Sequence, residues 1–292
     1  MLLLTGLAAS ACLPGLPPSK RAVLATRAPT LTPSPFVPPD QAVSTGEATL
    51  VPVPLTPLPP GGDCRKVPGR LVNDSVPSSL GGSPLTWIAY LPGCYDTDAE
   101  ALFPLLLLLP AADRDAQQWV SLDIPATADR LTASGDVPPL VIVMADSPLD
   151  NPSDASVLAD LLPALASRYR LDDDRGRRAL GGLSLGAAQV LRIGLQRPDL
   201  FGALGLHSLI PVDSDLGRLA GWVSAMPANL VPRVYIDIGD KDVQRDAVEA
   251  LAQQLAAGGL PVTWQLNAGA HADSYWRAHA AQYLRWYAQG WR

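Results

Sequence analysis

The pentapeptide Gly182-Leu183-Ser184-Leu185-Gly186 has the make-up of a turn that presents a nucleophile. It joins a strand pattern over residues 179–183 to a helical pattern over residues 186–196. A serine there is held in a strained bend, and glycines two positions to either side leave room for crowded backbone. The following helix turns its positive end toward the serine, which places the Leu185 backbone N–H to donate to a developing oxyanion. Serine attacks a carbonyl only when a base takes its proton, and the chain has three histidines, His207, His271 and His279. His207 follows the strand directly after the serine helix and His279 falls inside the last helical stretch, so both read as structural. His271 closes the loop Asn267-Ala268-Gly269-Ala270-His271 after a late strand and is the expected base. The acid that orients it should lie between serine and histidine in the chain, where Asp237, Asp240 and Asp242 cluster. Asp237 falls within a strand pattern. Asp240 also suits a loop turn and Asp242 a helix N-cap, so the residues alone leave these two open.

These side chains need a scaffold that brings strand ends together. Short apolar runs predict strands over residues 85–91, 104–109, 140–145, 179–183, 203–206, 234–238 and 262–266. Runs such as Leu140-Val141-Ile142-Val143-Met144 suit strands buried on both faces. Amphipathic stretches over 156–169, 186–196, 243–257 and 274–289 predict helices, the first kinked or broken at Pro163. The alternation points to an α/β fold, a mostly parallel sheet with helices on both faces, whose ligands collect at the carboxyl ends of the strands. Trp119 and Trp276 lie near two of the expected site loops and suit either pocket walls or core. Residues 211–232, with Trp222 and Met226, suit either a short lid or a surface helix and loop.

The 292 residues are 48% hydrophobic, enough for a large core, and the net charge of −6 provides no basic field for a phosphate backbone. Nucleic acid is therefore not an expected partner. Residues 1–12, ending Ala9-Ser10-Ala11-Cys12, are similar to the end of a bacterial lipoprotein signal with Cys12 as the lipidated residue, and imply export. Residues 13–62 are dense in Pro, Thr, Ser and Ala, cannot bury enough apolar surface to offset their ordering entropy, and read as a disordered tether. The folded domain is expected over 63–292. In an exported chain the two remaining cysteines, Cys64 and Cys94, are expected to pair. A membrane is then a partner only through an N-terminal lipid anchor. No metal-ligand cluster or phosphate-cradling glycine loop appears, so no cofactor is expected.

From about Leu85 to Arg292 the chain resembles the putative-esterase branch of the α/β-hydrolase superfamily, which includes esterase D, enterochelin and feruloyl esterases and mycolyltransferases. The resemblance is carried by Tyr90-Leu91-Pro92-Gly93-Cys94-Tyr95-Asp96, by residues 177–208, by the loop Ile238-Gly239-Asp240-Lys241-Asp242 and by the tail from Gly269 to Tyr287. It implies an α/β-hydrolase fold, with Ser184, Asp242 and His271 as nucleophile, acid and base. The family acid closes a Gly-x-x-Asp loop, which selects Asp242 over Asp240. The family histidine stands in a Gly-His-Asp-like tail, where this chain has Gly269-Ala270-His271-Ala272. After the strand 104–109 relatives carry His-Gly and this chain carries Pro110-Ala111, so the second oxyanion donor maps onto the backbone N–H of Ala112. The implied activity is hydrolysis of carboxylic esters through an acyl-enzyme, with a small-molecule, glycan or lipid ester as substrate. Transfer of the acyl group to a carbohydrate or lipid alcohol is one alternative. Since Ala111 lacks the backbone freedom of glycine, a catalytically weak binding protein on the same fold is another.

Overall fold

The computed structural model describes residues 63–97, 99–146 and 153–291. The lipobox-like segment 1–12 with Cys12, and the Pro-rich segment 13–62, lie outside the described residues. Eight strands form one sheet: β1 (Arg70–Val76), β2 (Leu85–Leu91), β3 (Leu105–Leu109), β4 (Val141–Ala145), β5 (Arg178–Leu183), β6 (Ala203–His207), β7 (Arg233–Gly239) and β8 (Val262–Asn267). Their spatial order is β1-β2-β4-β3-β5-β6-β7-β8. β2 runs antiparallel to both of its neighbours, and every pairing from β4 to β8 is parallel. The helices are α1 (Gln117–Ser121), α2 (Ile124–Ser134), α3 (Ser153–Ser156), α4 (Leu162–Arg168), α5 (Leu185–Gln196), α6 (Asp213–Leu216), α7 (Leu219–Ser224), α8 (Arg245–Ala257) and α9 (Asp273–Tyr287).

Alternation along the strands divides the core in two. In β3, Leu105, Leu107 and Leu109 face one cluster with α4, α5 and α8, while Leu106 and Leu108 face the other with α1, α2 and α9. An unbroken leucine run is what such a position requires, because both faces of the strand are dry. The structure is thus the mostly parallel sheet covered on both faces that the pattern of runs predicts.

Three features depart from the sequence expectation. β1 is an added edge strand whose exposed positions alternate with half-buried ones, and its Asn73-Asp74 pair removes the apolar signal. α1 and α2 fill the connection from β3 to β4. α2 carries Pro at its start and Gly135 at φ 78° at its end, a start-and-stop signature that marks a helix. Around Pro163 the helical stretch is neither a smooth helix nor broken. A π-helical segment, Val157–Leu161, feeds directly into α4 with Pro163 in its first turn, where the missing N–H costs least.

A disulfide links Cys64 and Cys94 with Cα atoms 4.7 Å apart, tying the segment before β1 to the turn after β2. Closing a loop with a separation of 30 residues removes about 3–4 kcal/mol of unfolded-chain entropy in the loop-closure account. No helix among the described residues is long and apolar enough to cross a membrane.

Candidate active site

Ser184 sits between β5 and α5 at φ 59°, ψ −120°, a conformation L-residues rarely adopt. Packing enforces it. A Cβ on Gly182 would collide with the Gly186 backbone, and one on Gly186 would collide with the Pro110 carbonyl. The serine N–H donates to the His207 carbonyl at 2.9 Å, fastening the turn to β6.

Beyond the carboxyl ends of β7 and β8 two loops interlock. Asp240 Oδ1 accepts the Gly269 N–H at 2.8 Å, and the Lys241 N–H donates to the Gly269 carbonyl at 2.8 Å. Asp240 is therefore committed to backbone. Asp242, 5% exposed, accepts the Gln244 N–H through Oδ1 at 3.0 Å and the His271 Nδ1–H through Oδ2 at 2.7 Å. Helix α8 begins at Arg245, so Asp242 lies before the helix rather than at its N-cap. His271 Nε2 lies 3.0 Å from Ser184 Oγ. With Nδ1–H committed to a carboxylate, the neutral ring presents Nε2 as the acceptor for the serine proton. One continuous line of hydrogen bonds thus runs from Asp242 through His271 to Ser184.

The remaining expected residues surround the serine. Leu185 opens α5, where a backbone N–H has no intrahelical partner. Ala112 lines a cleft of about 400 Å³ together with Ala111, Arg114, Gln118, Ser184, His271, Ala272, Asp273 and Trp276. The positive-φ non-glycine residues among those described are Asp113, Asp123, Ser184 and Ser208, so Ala111 occupies a conformation open to any residue. Trp276 is a cleft wall set edge-on to His271 at 5.2 Å, whereas Trp119 is buried in the core. Trp222 and Met226 pack against the core on the α5 side, and residues 211–232 contribute nothing to the cleft wall. A larger cleft of about 490 Å³ between β1, β2 and α1, bordered by Asn73, Thr86, Asp115 and Asp146, contains none of Ser184, His271 and Asp242. Among the described residues no group of three or more His, Cys, Asp or Glu side chains is placed to hold a metal ion.

Directly under the site lies a polar cluster that sequence reasoning did not assemble. Asp237 is fully buried and accepts from His207 Nδ1–H at 2.7 Å, Tyr275 OH at 2.8 Å and Tyr283 OH at 2.7 Å. His207 Nε2 lies 2.8 Å from Tyr287 OH, and that phenol occupies the space a side chain on Gly181 or Gly205 would need. His207 is thus part of the scaffold. His279 Nδ1 bonds the Tyr275 carbonyl at 2.8 Å, one turn back within α9. The signal available in sequence was the spacing of Tyr275, His279, Tyr283 and Tyr287, an aromatic ring every four residues and so on one helix face.

Burial and then the charge of Asp237 push the phenols of Tyr235, Tyr275, Tyr283 and Tyr287 above the ordinary range. A phenol whose folded pKa is raised contributes full stability below its unfolded pKa of about 10 and loses it as pH climbs toward the folded value. Stability is therefore expected to fall steeply as pH rises above about 10, with the phenolate absorbance of these four tyrosines rising only as the protein unfolds. Denaturant melts followed by near-ultraviolet absorbance check this; ionisation of all seven tyrosines in the folded protein at the ordinary pH would contradict it.

The parallel sheet, the serine turn and the line from Asp242 to Ser184 are features of an α/β-hydrolase. Residues 152–289 match the family model described as Putative esterase. The endo-1,4-beta-xylanase/feruloyl esterase of Xylanibacter ruminicola is 24% identical over 205 residues, covering 64% of this chain and 27% of that protein. Among solved structures, a ferulic acid esterase aligns with a TM-score of 0.66 at 22% identity, covering 76% of this chain and 97% of that one. An S-formylglutathione hydrolase from Staphylococcus aureus aligns with a TM-score of 0.61 at 14% identity, covering 75% and 99%. The chain spans between 27% and 56% of the length of the curated relatives it matches. The family match and the shared fold support the putative-esterase branch of the α/β-hydrolase superfamily for this chain.

Proposed function

We propose that residues 63–292 form an extracytoplasmic serine esterase that hydrolyses carboxylic esters through an acyl-enzyme on Ser184. The observation that carries this reading is the unbroken Asp242–His271–Ser184 line, with spacings of 2.7 and 3.0 Å, opening into the cleft. His271 takes the Ser184 proton as Oγ attacks the ester carbonyl, and Asp242 holds the imidazole and offsets its positive charge. The oxygen of the tetrahedral intermediate is stabilised by the N–H groups of Leu185 and Ala112. Collapse expels the alcohol, protonated by His271, and leaves an acyl group on Ser184. Water, deprotonated by His271, then releases the acid by the reverse sequence of steps.

The binding-protein alternative rested on Pro110-Ala111, and the absence of a positive φ at Ala111 favours the esterase reading over it. The Cys64–Cys94 disulfide supports an oxidising compartment. The Xylanibacter relative's name makes aromatic acyl esters the first substrates to try beside simple ones. The test is hydrolysis of short- and long-chain p-nitrophenyl esters and of methyl ferulate by the full chain, alongside covalent labelling by a fluorophosphonate. Turnover with labelling at Ser184 is expected. Absence of both would overturn the reading.

A further inference from the structure

The candidate oxyanion loop of this chain opens on Pro110-Ala111, and its geometry must be held by the contacts around it. Two consecutive peptide planes orient it. In the first, between Pro110 and Ala111, the carbonyl lies against the spot where Gly186 has no side chain. Its N–H donates to Gln118 Oε1 at 2.9 Å. In the second, between Ala111 and Ala112, the carbonyl accepts the Arg114 N–H at 3.3 Å. A trans peptide points its N–H opposite its carbonyl, so the direction of the Ala112 N–H follows from both anchors. Gln118 is the one side chain among them. It is 6% exposed, it sits in α1, and Asp115 Oδ1 accepts the N–H of Gln117, the first residue of that helix, at 3.0 Å. Its other end, Nε2, donates to Asp273 Oδ1 at 3.2 Å, two residues beyond His271.

We propose that Gln118 is a positioning residue for the esterase reaction, its amide fixing the oxyanion loop against the start of α9 so that the Ala112 N–H and the His271 imidazole keep a constant relation to Ser184. This rests on the esterase reading above. A buried amide suits the task because one planar group supplies both the acceptor that Ala111 needs and the donor that Asp273 needs. Methionine has similar volume and can do neither. Glutamate keeps the acceptor but sets a carboxylate against the Asp273 carboxylate.

The experiment compares the full-length wild type with Gln118→Met and Gln118→Glu, using ester kinetics and a trifluoromethyl ketone. Ser184 Oγ adds to the ketone carbon, its proton passes to His271, and the carbonyl electron pair becomes an oxyanion in the place of the tetrahedral intermediate. Gln118→Met is expected to lower kcat by about 10–100-fold with KM within about twofold, the pattern of an interaction made only in the transition state. The ketone should lose affinity by the same factor, which a general loosening of the fold would not produce. Gln118→Glu should fall between the two. A folded Gln118→Met with kcat within about twofold of wild type, or a kcat loss without a matching loss of ketone affinity, overturns the proposal. Should Gln118→Met melt before it can be assayed, Gln118→Glu carries the same comparison. A wild type without turnover or Ser184 labelling overturns the esterase reading itself, and the role of Gln118 with it.

Discussion

Ser184→Ala is expected to lower ester turnover by about four to six orders of magnitude while leaving the thermal transition close to that of the wild type. The loss is large because the acyl-enzyme route disappears, and what remains is binding and the two backbone donors acting on attack by water. The fold should tolerate the change. Among the described residues Ser184 Oγ bonds only His271, which is itself held by Asp242, and the elbow is held by backbone: the Ser184 N–H on the His207 carbonyl and the Gly186 contact with Pro110. Alanine inherits the φ of 59° and its strain of about 1–3 kcal/mol, whereas Ser184→Gly relieves it. The glycine variant should thus be equally inactive and melt higher than wild type. Ester assays and calorimetry on the two variants check this together; an active Ser184→Ala would remove the serine from the chemistry.

The largest stability effect is expected at Asp237, away from the reacting atoms. Asp237→Ala strips the partner from His207 Nδ1–H and from the Tyr275 and Tyr283 hydroxyls, all of them buried. Three donors without an acceptor in a dry interior should cost about 3–5 kcal/mol, a large share of the 5–15 kcal/mol typical of a domain. Activity should fall with stability, because His207 also supplies the carbonyl that holds the Ser184 N–H. Asp237→Asn keeps an acceptor but turns an amide donor toward one of the three donors, so its loss should be smaller. Urea melts of both variants decide the matter, and a loss below about 1 kcal/mol for Asp237→Ala would show that the cluster contributes little.

Much of this was legible locally. Apolar runs such as Leu105–Leu109 and Val141–Ala145 mark strands covered on both faces, and Gly182-Leu183-Ser184-Leu185-Gly186 between a run and an amphipathic stretch marks the elbow. β1 was hidden because a polar edge strand has no apolar face to show, and its pairing with β2 is what makes it a strand. The Asp237 cluster was hidden because its members come from β6, β7 and α9, and nothing in a strand aspartate tells which donors will meet it.

The chain by itself determined most of the element types, the strand-end location of Ser184, Asp242 and His271, and the reading of His207 and His279 as structural from their positions. The residues by themselves left Asp240 and Asp242 open and the resemblance pointed to Asp242; the tertiary structure shows which of the two faces His271. The parallel pairing of β7 with β8, Gly239 opposite Asn267, lays the two loops against each other. That contact consumes Asp240 on the Gly269 N–H and leaves Asp242 facing His271, 29 residues away in sequence. The role of Gln118 was equally a matter of tertiary structure, because its two partners, Ala111 and Asp273, are brought to it by different strands. Hydrogen bonds of this kind depend on the direction of each donor and acceptor, which is set when the sheet assembles and not by the residues beside them in the chain.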